Sequence, residues 1–98
     1  MSNTVRAAAL APPGSYRSID FTTAGTFLSK IGSYNPEWKS AIIQPSGATI
    51  YWRADGTAAT ASTGIAIADG QPWLFENQPE LLQAMSLIGG TVRVHFFG

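Results

Sequence analysis

One histidine and nine serines are the residues of this chain that could do nucleophilic chemistry, and their surroundings argue against it. His95 lies between Val94 and Phe96 in an alternating run, where an exposed or hydrogen-bonded strand residue is the ordinary interpretation. No serine occupies the G-x-S-x-G turn that presents a nucleophile above a sheet. Because a serine hydrolase needs a base beside an activated hydroxyl, we predict that this protein is not an enzyme.

Asp55 and Asp69 are the next candidates, because carboxylates serve both glycosidases and calcium sites. Each precedes a glycine, where aspartate is favoured because its side chain caps the turn and glycine supplies a positive φ. Their spacing lacks the D-x-D-x-D-G of an EF-hand. The chain also has no cysteine and a single histidine, which argues against zinc. We therefore predict two turns here, with no metal and no cofactor.

The aromatic residues offer a different chemistry, stacking on sugar rings. Trp52 and Trp73 lie within predicted strands, where packing in the core is the default role. Trp38 and Tyr34 lie in a turn-rich segment, GSYNPEW, and are the better candidates for an exposed contact. A carbohydrate-binding or receptor-binding module is therefore an alternative function.

The composition favours association with other proteins over binding of nucleic acid. Charged residues make up 12% of the chain, about half of the ~25% typical of soluble domains. Depletion of charge is typical of interface cores, although a surface of Ser, Thr, Gln and Asn would be soluble as well. From the depletion of charge we expect a homo-oligomer. The net charge is zero and no Lys/Arg cluster is present, so we expect no binding of DNA or RNA.

Residues 1–14 are predicted to form an extended N-terminal arm. Pro12 and Pro13, followed by Gly14, interrupt any helix that begins at Arg6. The Ala-rich stretch is too short and too weakly apolar for a signal peptide or a membrane span, so we expect synthesis in the cytoplasm and no membrane partner. Arg6, Pro12 and Pro13 are candidate contacts, through which the arm would become ordered on a neighbouring subunit.

Residues 15–98 are predicted to form a single, mostly β domain. Short runs with period-two alternation, separated by turn residues, predict strands. These runs are 16–21, 26–31, 40–44, 48–53, 64–68, 72–76 and 91–97. Residues 26–31 are also compatible with one helical turn, but we predict a strand there. We expect 40–44 and 48–53 to form one hairpin, and 64–68 and 72–76 to be antiparallel neighbours. The spacing suggests a small β-sandwich or a jelly-roll-like barrel, with an α+β fold as the alternative.

One short helix is predicted over residues 79–88. Pro79 stands at a first helical position, and Glu80 lies in the first turn. An apolar stripe follows and ends at Gly89-Gly90; it consists of Leu81, Leu82, Met85 and Ile88.

The segment IYWRADGTAATASTGIAIADGQPWLF, residues 50–75, resembles a pattern of small virion structural proteins of tailed bacteriophages. In that pattern a strand leads into Arg-x-Asp-Gly, an Ala/Thr loop, Gly-Ile-x-Ile and a turn into a hydrophobic strand. The following ELLQAMSLIGGTVRVHFF is similar to the helical turn and alternating final strand of those proteins. The resemblance covers residues 41–98, but Ala59-Thr60 stands where Pro-Thr is usual, and the first forty residues are not included.

The resemblance implies a capsid decoration or cement protein, often a trimer, that bridges major capsid protein subunits on the surface of the virion. A tail or fibre component is the alternative within the same family, and an unrelated β domain is a further one. Arg53 and Asp55 leave their strand two residues apart and can pair across the turn. The small residues after them allow close approach of another backbone. The residues that we predict to contact a partner or a neighbouring subunit are Arg6, Pro12, Pro13, Tyr34, Trp38, Arg53 and Asp55.

Overall fold

The computed structural model describes residues 15–98, and this part of the chain is mostly β. It contains eight strands and two short helices. The strands are β1 (Tyr16–Phe21), β2 (Gly25–Thr26), β3 (Ser40–Ser46), β4 (Ile50–Arg53), β5 (Ile65–Ile67), β6 (Trp73–Phe75), β7 (Ser86–Ile88) and β8 (Gly90–Phe97). The helices are α1 (Phe27–Ile31) and α2 (Pro79–Ala84).

Two four-stranded antiparallel sheets form the domain. Their strand orders are β1-β8-β3-β6 and β2-β7-β4-β5. We call them the first sheet and the second sheet. Eight strands divided in this order between two sheets make a jelly roll, which confirms the predicted fold class.

The core lies between the two sheets and is built from alternate residues of each strand. In β8, Val92, Val94 and Phe96 point inward and are buried, as the alternation predicts. Phe27 of α1 stacks edge-on against Phe96 with ring centroids 5.2 Å apart. The helices therefore contribute to the same core as the sheets.

The predicted hairpin between residues 40–44 and 48–53 is wrong, and so is the predicted pairing of 64–68 with 72–76. β3 pairs with β6 and β8, whereas β4 pairs with β5 and β7. In a jelly roll, most consecutive strands lie in opposite sheets, so these short turns pass from one sheet to the other. β3 also extends through Pro45 and Ser46, which were predicted to be a turn.

Residues 26–31 were predicted as a strand, with one helical turn as the alternative; the helical alternative is the correct one, because Phe27–Ile31 forms α1 after the short strand β2. Thr26 caps the helix: its hydroxyl accepts from the Ser29 backbone N–H at 3.1 Å, and Ser29 Oγ accepts from the Thr26 N–H at 2.9 Å. This reciprocal cap satisfies two backbone donors at the helix start, and Gly32 ends the helix at φ 87°. Local capping therefore outweighs the β-compatible composition.

The helix predicted over residues 79–88 is shorter than expected. Pro79 begins α2, but Met85 leaves helical geometry at φ −70° and ψ 136°. Ser86–Ile88 then forms β7, which lies between β2 and β4 in the second sheet. The apolar stripe is still buried at Leu82 and Met85, because both side chains face the core from either side of this transition.

The connections separate by length at the two ends of the sandwich. Because neighbouring strands are antiparallel, successive connections alternate between the ends. The connections β2–β3, β4–β5 and β6–β7 are long and lie at one end, which we call the long-connection end. They consist of residues 27–39, 54–64 and 76–85. The connections β1–β2, β3–β4, β5–β6 and β7–β8 are short and lie at the other end, which we call the short-turn end. They consist of residues 22–24, 47–49, 68–72 and 89.

Candidate functional site

The Arg53–Asp55 pair lies where β4 enters the long connection 54–64. Arg53 Nε donates to Asp55 Oδ1 at 2.9 Å, and Nη2 donates to Oδ2 at 2.5 Å. The two parallel bonds make a bidentate pair, which confirms that the side chains meet across the turn. Gly56 follows at φ 86°, and the Thr57 N–H donates to Asp55 Oδ1 at 3.3 Å.

This pair keeps Asp55 ionised over the whole ordinary pH range. The hydrogen bonds from Arg53 lower the pKa of the Asp55 carboxyl to about 2, and the Thr57 N–H acts in the same direction. Asp55 raises the pKa of the Arg53 guanidinium in return. The arrangement is suited to holding the start of the loop in one geometry, because its charges already satisfy each other.

The rest of the 54–64 connection is attached to the second sheet. The backbone N–H of Ala59 donates to Ser86 Oγ of β7 at 3.0 Å, and Ala59 is only 1% exposed. At the other end of the loop, a Cβ on Gly64 would lie 2.9 Å from Tyr51 Cβ, so the backbone passes close over β4. The loop is therefore attached at its two ends and at Ala59, whereas residues 55–58 and 60–63 are exposed.

A shallow depression of about 270 Å³ lies beside this loop at the long-connection end. It is lined by small residues of three segments: Ala24, Gly25, Thr26, Ser29, Gly56, Thr57, Ala58, Ala84 and Ser86. The short side chains leave backbone near the surface. A partner can approach closely here without displacing large side chains.

Trp38 and Tyr34, predicted as exposed contacts, are part of the core instead. Trp38 is 5% exposed, stacks on Phe96 at 4.3 Å, and donates from Nε1 to Ser15 Oγ at 3.1 Å. Tyr34 is half-buried and packs edge-on against Trp38 and Phe96. The prediction was wrong because the turn at Asn35, where the Trp38 N–H donates to the Asn35 carbonyl, directs these rings inward.

Burial has a chemical consequence for Tyr34. Its hydroxyl is buried and has no hydrogen-bond partner among residues 15–98. Loss of solvation raises the pKa of Tyr34 to about 12, so the phenol stays neutral. The Tyr34 ring is therefore half-buried against the core, with its hydroxyl removed from solvent.

Trp52 and Trp73 form a second aromatic cluster with Phe75, partly buried between the sheets. The Trp52 ring lies edge-on to Trp73 at 6.5 Å and to Phe75 at 5.6 Å. The Trp52 Nε1–H is buried and has no acceptor in the described part of the chain. Their packing against the core agrees with the role predicted for them.

The outer face of the first sheet carries a row of side chains that the sequence did not reveal. The register places Tyr16 of β1 opposite His95 of β8, His95 opposite Ile42 of β3, and Ile42 opposite Leu74 of β6. We call these four residues the outer row. Tyr16 is 56% exposed and Leu74 is 40% exposed. Only strand pairing brings them together, because they come from four separate segments.

The next residues along the same face are polar. Ser18, Arg93 and Gln44 stand opposite one another on β1, β8 and β3. His95 in the outer row has aromatic neighbours, with its ring 6.4 Å from Tyr16 and 6.3 Å from Phe97. The outer row is thus an apolar strip with a polar border on one side.

Residues 15–98 contain neither a cluster of metal-ligating side chains nor a membrane-spanning helix. No group of three or more His, Cys, Asp or Glu side chains there is placed to hold a metal ion. No helix in that range is long and apolar enough to cross a membrane.

Asp69, one of the two turn aspartates, accepts from the Gly47 N–H at 2.8 Å and so joins two turns at the short-turn end. The predicted contacts Arg6, Pro12 and Pro13 lie outside the described residues.

The strand order and the surfaces define a class of protein, a small jelly-roll domain with a depression lined by small residues at one end and an apolar strip on one sheet. Comparison of the chain with protein-family models, with curated proteins and with solved structures finds no match.

Proposed function

We propose that this chain is a structural protein of a tailed-bacteriophage virion, a decoration protein that oligomerises and bridges major capsid protein subunits on the head surface. The observation that carries the proposal is the jelly-roll strand order in a short, charge-poor chain. Jelly rolls recur in viral capsid and lectin domains, where rigid sheets present loops to a neighbour. The resemblance of residues 41–98 to phage virion proteins points to the same role.

The long-connection end is the surface that we assign to capsid binding. The Arg53–Asp55 pair and the Ala59–Ser86 bond hold the loop in place before any partner arrives. A loop that is already attached at these points loses less conformational entropy on binding, so a smaller part of the favourable contact free energy is offset. Each 100 Å² of apolar area removed from water contributes about 2.5 kcal/mol before such costs. Because many copies bind to one shell, even a weak contact per copy adds up to a large total stabilisation of the shell.

The oligomeric state is the first test of the proposal. Light scattering after size exclusion, over a dilution series, should give the mass of a trimer or a larger ring. A charge-poor chain with exposed Leu28, Ile65 and Leu74 has the surface for such contacts. A monomer at every concentration would contradict self-association in solution.

Capsid binding is the second test. Purified protein should co-sediment with shells assembled from the major capsid protein encoded in the same genome. Ala58→Arg places a long charged side chain in the depression of the long-connection end and should abolish co-sedimentation. Gln71→Arg adds the same charge at the exposed short-turn end and should leave binding intact. Equal binding by both variants would exclude the long-connection end as the contact.

A tail or fibre component is the second candidate, and labelled protein distinguishes it from the first. Electron micrographs of particles incubated with gold-labelled protein should show label over the head. Label confined to the tail would replace the decoration role with the tail role. A sugar-binding module is less well supported, because Trp38 is buried against Phe96 and Tyr34 is half-buried beside it.

A further inference from the structure

We infer that the edge strand β6 pairs with β6 of a second copy of this chain, so that the first sheets of two protomers join into one eight-stranded sheet. The two strands run antiparallel about a two-fold axis at Leu74. This contact rests on the self-association proposed above and identifies the surface that carries it. A larger ring that contains the contact has an even number of chains.

The first argument is that β6 presents backbone groups at an open edge. Among the described strands, β6 pairs with β3 alone. The Pro45 carbonyl of β3 accepts from the Gly70 N–H in the turn before β6, so the backbone of Pro45 faces β6. Because every second residue of a strand faces the same neighbour, Ile43 also faces β6 and bonds to Trp73. Leu74, the next residue, therefore directs its N–H and C=O away from β3, to the open edge.

The second argument is the difference in charge between the two edges of the first sheet. Asp69 is the only charged residue within 56–75, the segment that contains β5 and β6, and its carboxylate is already bonded at the short-turn end. At the other edge, β1 carries Arg17 at an inward-facing position opposite a buried residue of β8, and Lys30 lies 5.6 Å over the Phe21 ring. Inward-pointing charges and lysines on an edge strand protect it against pairing with another chain. β1 has this protection and β6 does not.

Charge also decides which edge suits a second copy, because a two-fold contact brings each residue towards its own counterpart. In the pairing about Leu74, the two Glu76 side chains that follow β6 are ~14 Å apart along the strands. Screening at physiological ionic strength acts over ~8 Å, so their repulsion is weak. Pairing of β1 about its middle residue, Ser18, would place the two Arg17 residues only ~8 Å apart on one face. β6 is therefore the edge that fits a second copy.

The third argument is the set of side chains that meet. Pairing about Leu74 places Trp73 of each copy opposite Phe75 of the other, and the two Leu74 side chains opposite each other. Trp73 is half-buried in the cluster with Trp52 and Phe75, so the contact extends this cluster across two copies. β5, the edge strand of the second sheet on the same side, adds Ile65, which is 51% exposed. The contact therefore buries apolar surface in both sheets.

Disulfide cross-linking tests the contact in the full-length protein, which has no cysteine of its own. In the pairing about Leu74, the Cα atoms of the two Leu74 residues lie ~5.5 Å apart, within the range of a disulfide. Leu74→Cys should therefore give a covalent dimer on a non-reducing gel when diamide oxidises the two thiols. Ser18→Cys, at the exposed middle of β1, is the matched control and should stay monomeric on the same gel. No dimer from Leu74→Cys, or equal amounts from both variants, would overturn the inference.

A charge at the axis provides a second test, by light scattering. Leu74→Arg, at a position that is 40% exposed, brings two guanidinium groups together and should halve the mass of the assembly. Ser18→Arg adds the same charge to β1 and should leave the mass unchanged. Urea unfolding of both variants checks that the domain is folded. A folded Leu74→Arg variant with the mass of the wild type would overturn the contact.

The outcomes distinguish this contact from the proposed function. A wild-type dimer that Leu74→Arg converts to a monomer supports the contact and contradicts the trimer or larger ring expected of the decoration protein. A wild-type trimer without a covalent Leu74→Cys dimer overturns the contact and leaves the decoration role in place. A wild-type monomer at every concentration overturns both the contact and self-association in solution.

Discussion

Trp38 and Tyr34 show how packing and hydrogen bonding compete at single residues. Trp38 stacks on Phe96 and also donates to Ser15, so burial leaves its polar atom satisfied. Tyr34 packs against the same two rings, but its hydroxyl has no partner among the described residues. An unpaired buried polar group reduces stability by the cost of removing it from water.

Replacement of Tyr34 by phenylalanine should therefore stabilise the protein. The ring contacts are kept and the unpaired hydroxyl is removed, so we expect the free energy of unfolding in urea to rise by about 1 kcal/mol. Trp38→Phe is the matched control: it keeps most of the stacking but loses a satisfied hydrogen bond, and it should destabilise. A loss of stability in Tyr34→Phe equal to that in Trp38→Phe would show that the hydroxyl has a partner.

Tyr34 also predicts that the stability of the protein depends on pH in the alkaline range. The folded pKa of Tyr34 is raised from 10.0 to about 12 by burial, so the unfolded chain releases its proton first. Stability should therefore fall as the pH rises from 10 towards 12, which unfolding curves measure directly. In Tyr34→Phe this fall should be smaller. An identical pH profile in both proteins would contradict the raised pKa.

Asp55 predicts a pH dependence of the opposite sign. Its pKa is lowered to about 2 in the folded protein by the bonds from Arg53, so the pair stabilises above the unfolded pKa, near 3.8. That contribution is lost as the pH falls towards 2. Asp55→Asn should be less stable than the wild type at pH 7, and the two should converge near pH 2. A constant difference would mean that the charge of Asp55 is not involved.

At the scale of elements, the tight turn between β7 and β8 illustrates how backbone geometry sets the connection. Gly89 has φ 135°, and its N–H donates to the Phe21 carbonyl at 2.8 Å. A Cβ at this position would lie 2.4 Å from the Thr49 carbonyl oxygen. Only glycine satisfies both constraints, so one residue is enough to carry the chain from the second sheet to the first.

Alanine substitutions at two glycines separate these constraints. Gly47→Ala, at φ 98° with open space around it, should cost about 1–3 kcal/mol from backbone strain alone. Gly89→Ala adds a clash with main-chain atoms and should be markedly more destabilising. Urea unfolding measures both changes. Equal effects would show that the turn relaxes around the added methyl group.

At the scale of the whole molecule, the topology joins the two ends of the described chain. β1 pairs with β8 along its full length, and β8 also pairs with β3. The first sheet therefore cannot be completed until its last strand is in place. Pairing between distant segments has a high entropic cost before it is stabilised by packing.

This topology predicts slow folding for a chain of 98 residues. Proteins dominated by non-local strand pairing fold in milliseconds to seconds, so stopped-flow refolding followed by Trp fluorescence should fall in that range. Trp38 and Trp52 report on both aromatic clusters. Refolding in microseconds would mean that local structure, and not strand pairing, limits the rate.

Several features of the fold and site follow from the sequence because they depend on a few neighbouring residues. The alternation of β8, the turns at Asp55-Gly56 and Asp69-Gly70, and the Arg53–Asp55 pair were all predicted and observed. Steric limits on φ and ψ, side-chain alternation and short-range hydrogen bonds act over these distances. The short alternating runs and the spacing of the turns also predicted a β-sandwich or jelly-roll-like fold, which the strand order confirms.

Tertiary structure alone decided which strands pair and which surfaces result. The turn at residues 47–49 is compatible with a hairpin, but packing in two sheets sends β4 away from β3. Residues 86–88 continue the helical stripe in sequence, yet they form β7 because the second sheet needs a strand between β2 and β4. The outer row depends on register between four distant segments, and the burial of Trp38 depends on Phe96, far along the chain. Such choices are made by the total burial and hydrogen bonding of the assembled sheets, which no short window of sequence contains.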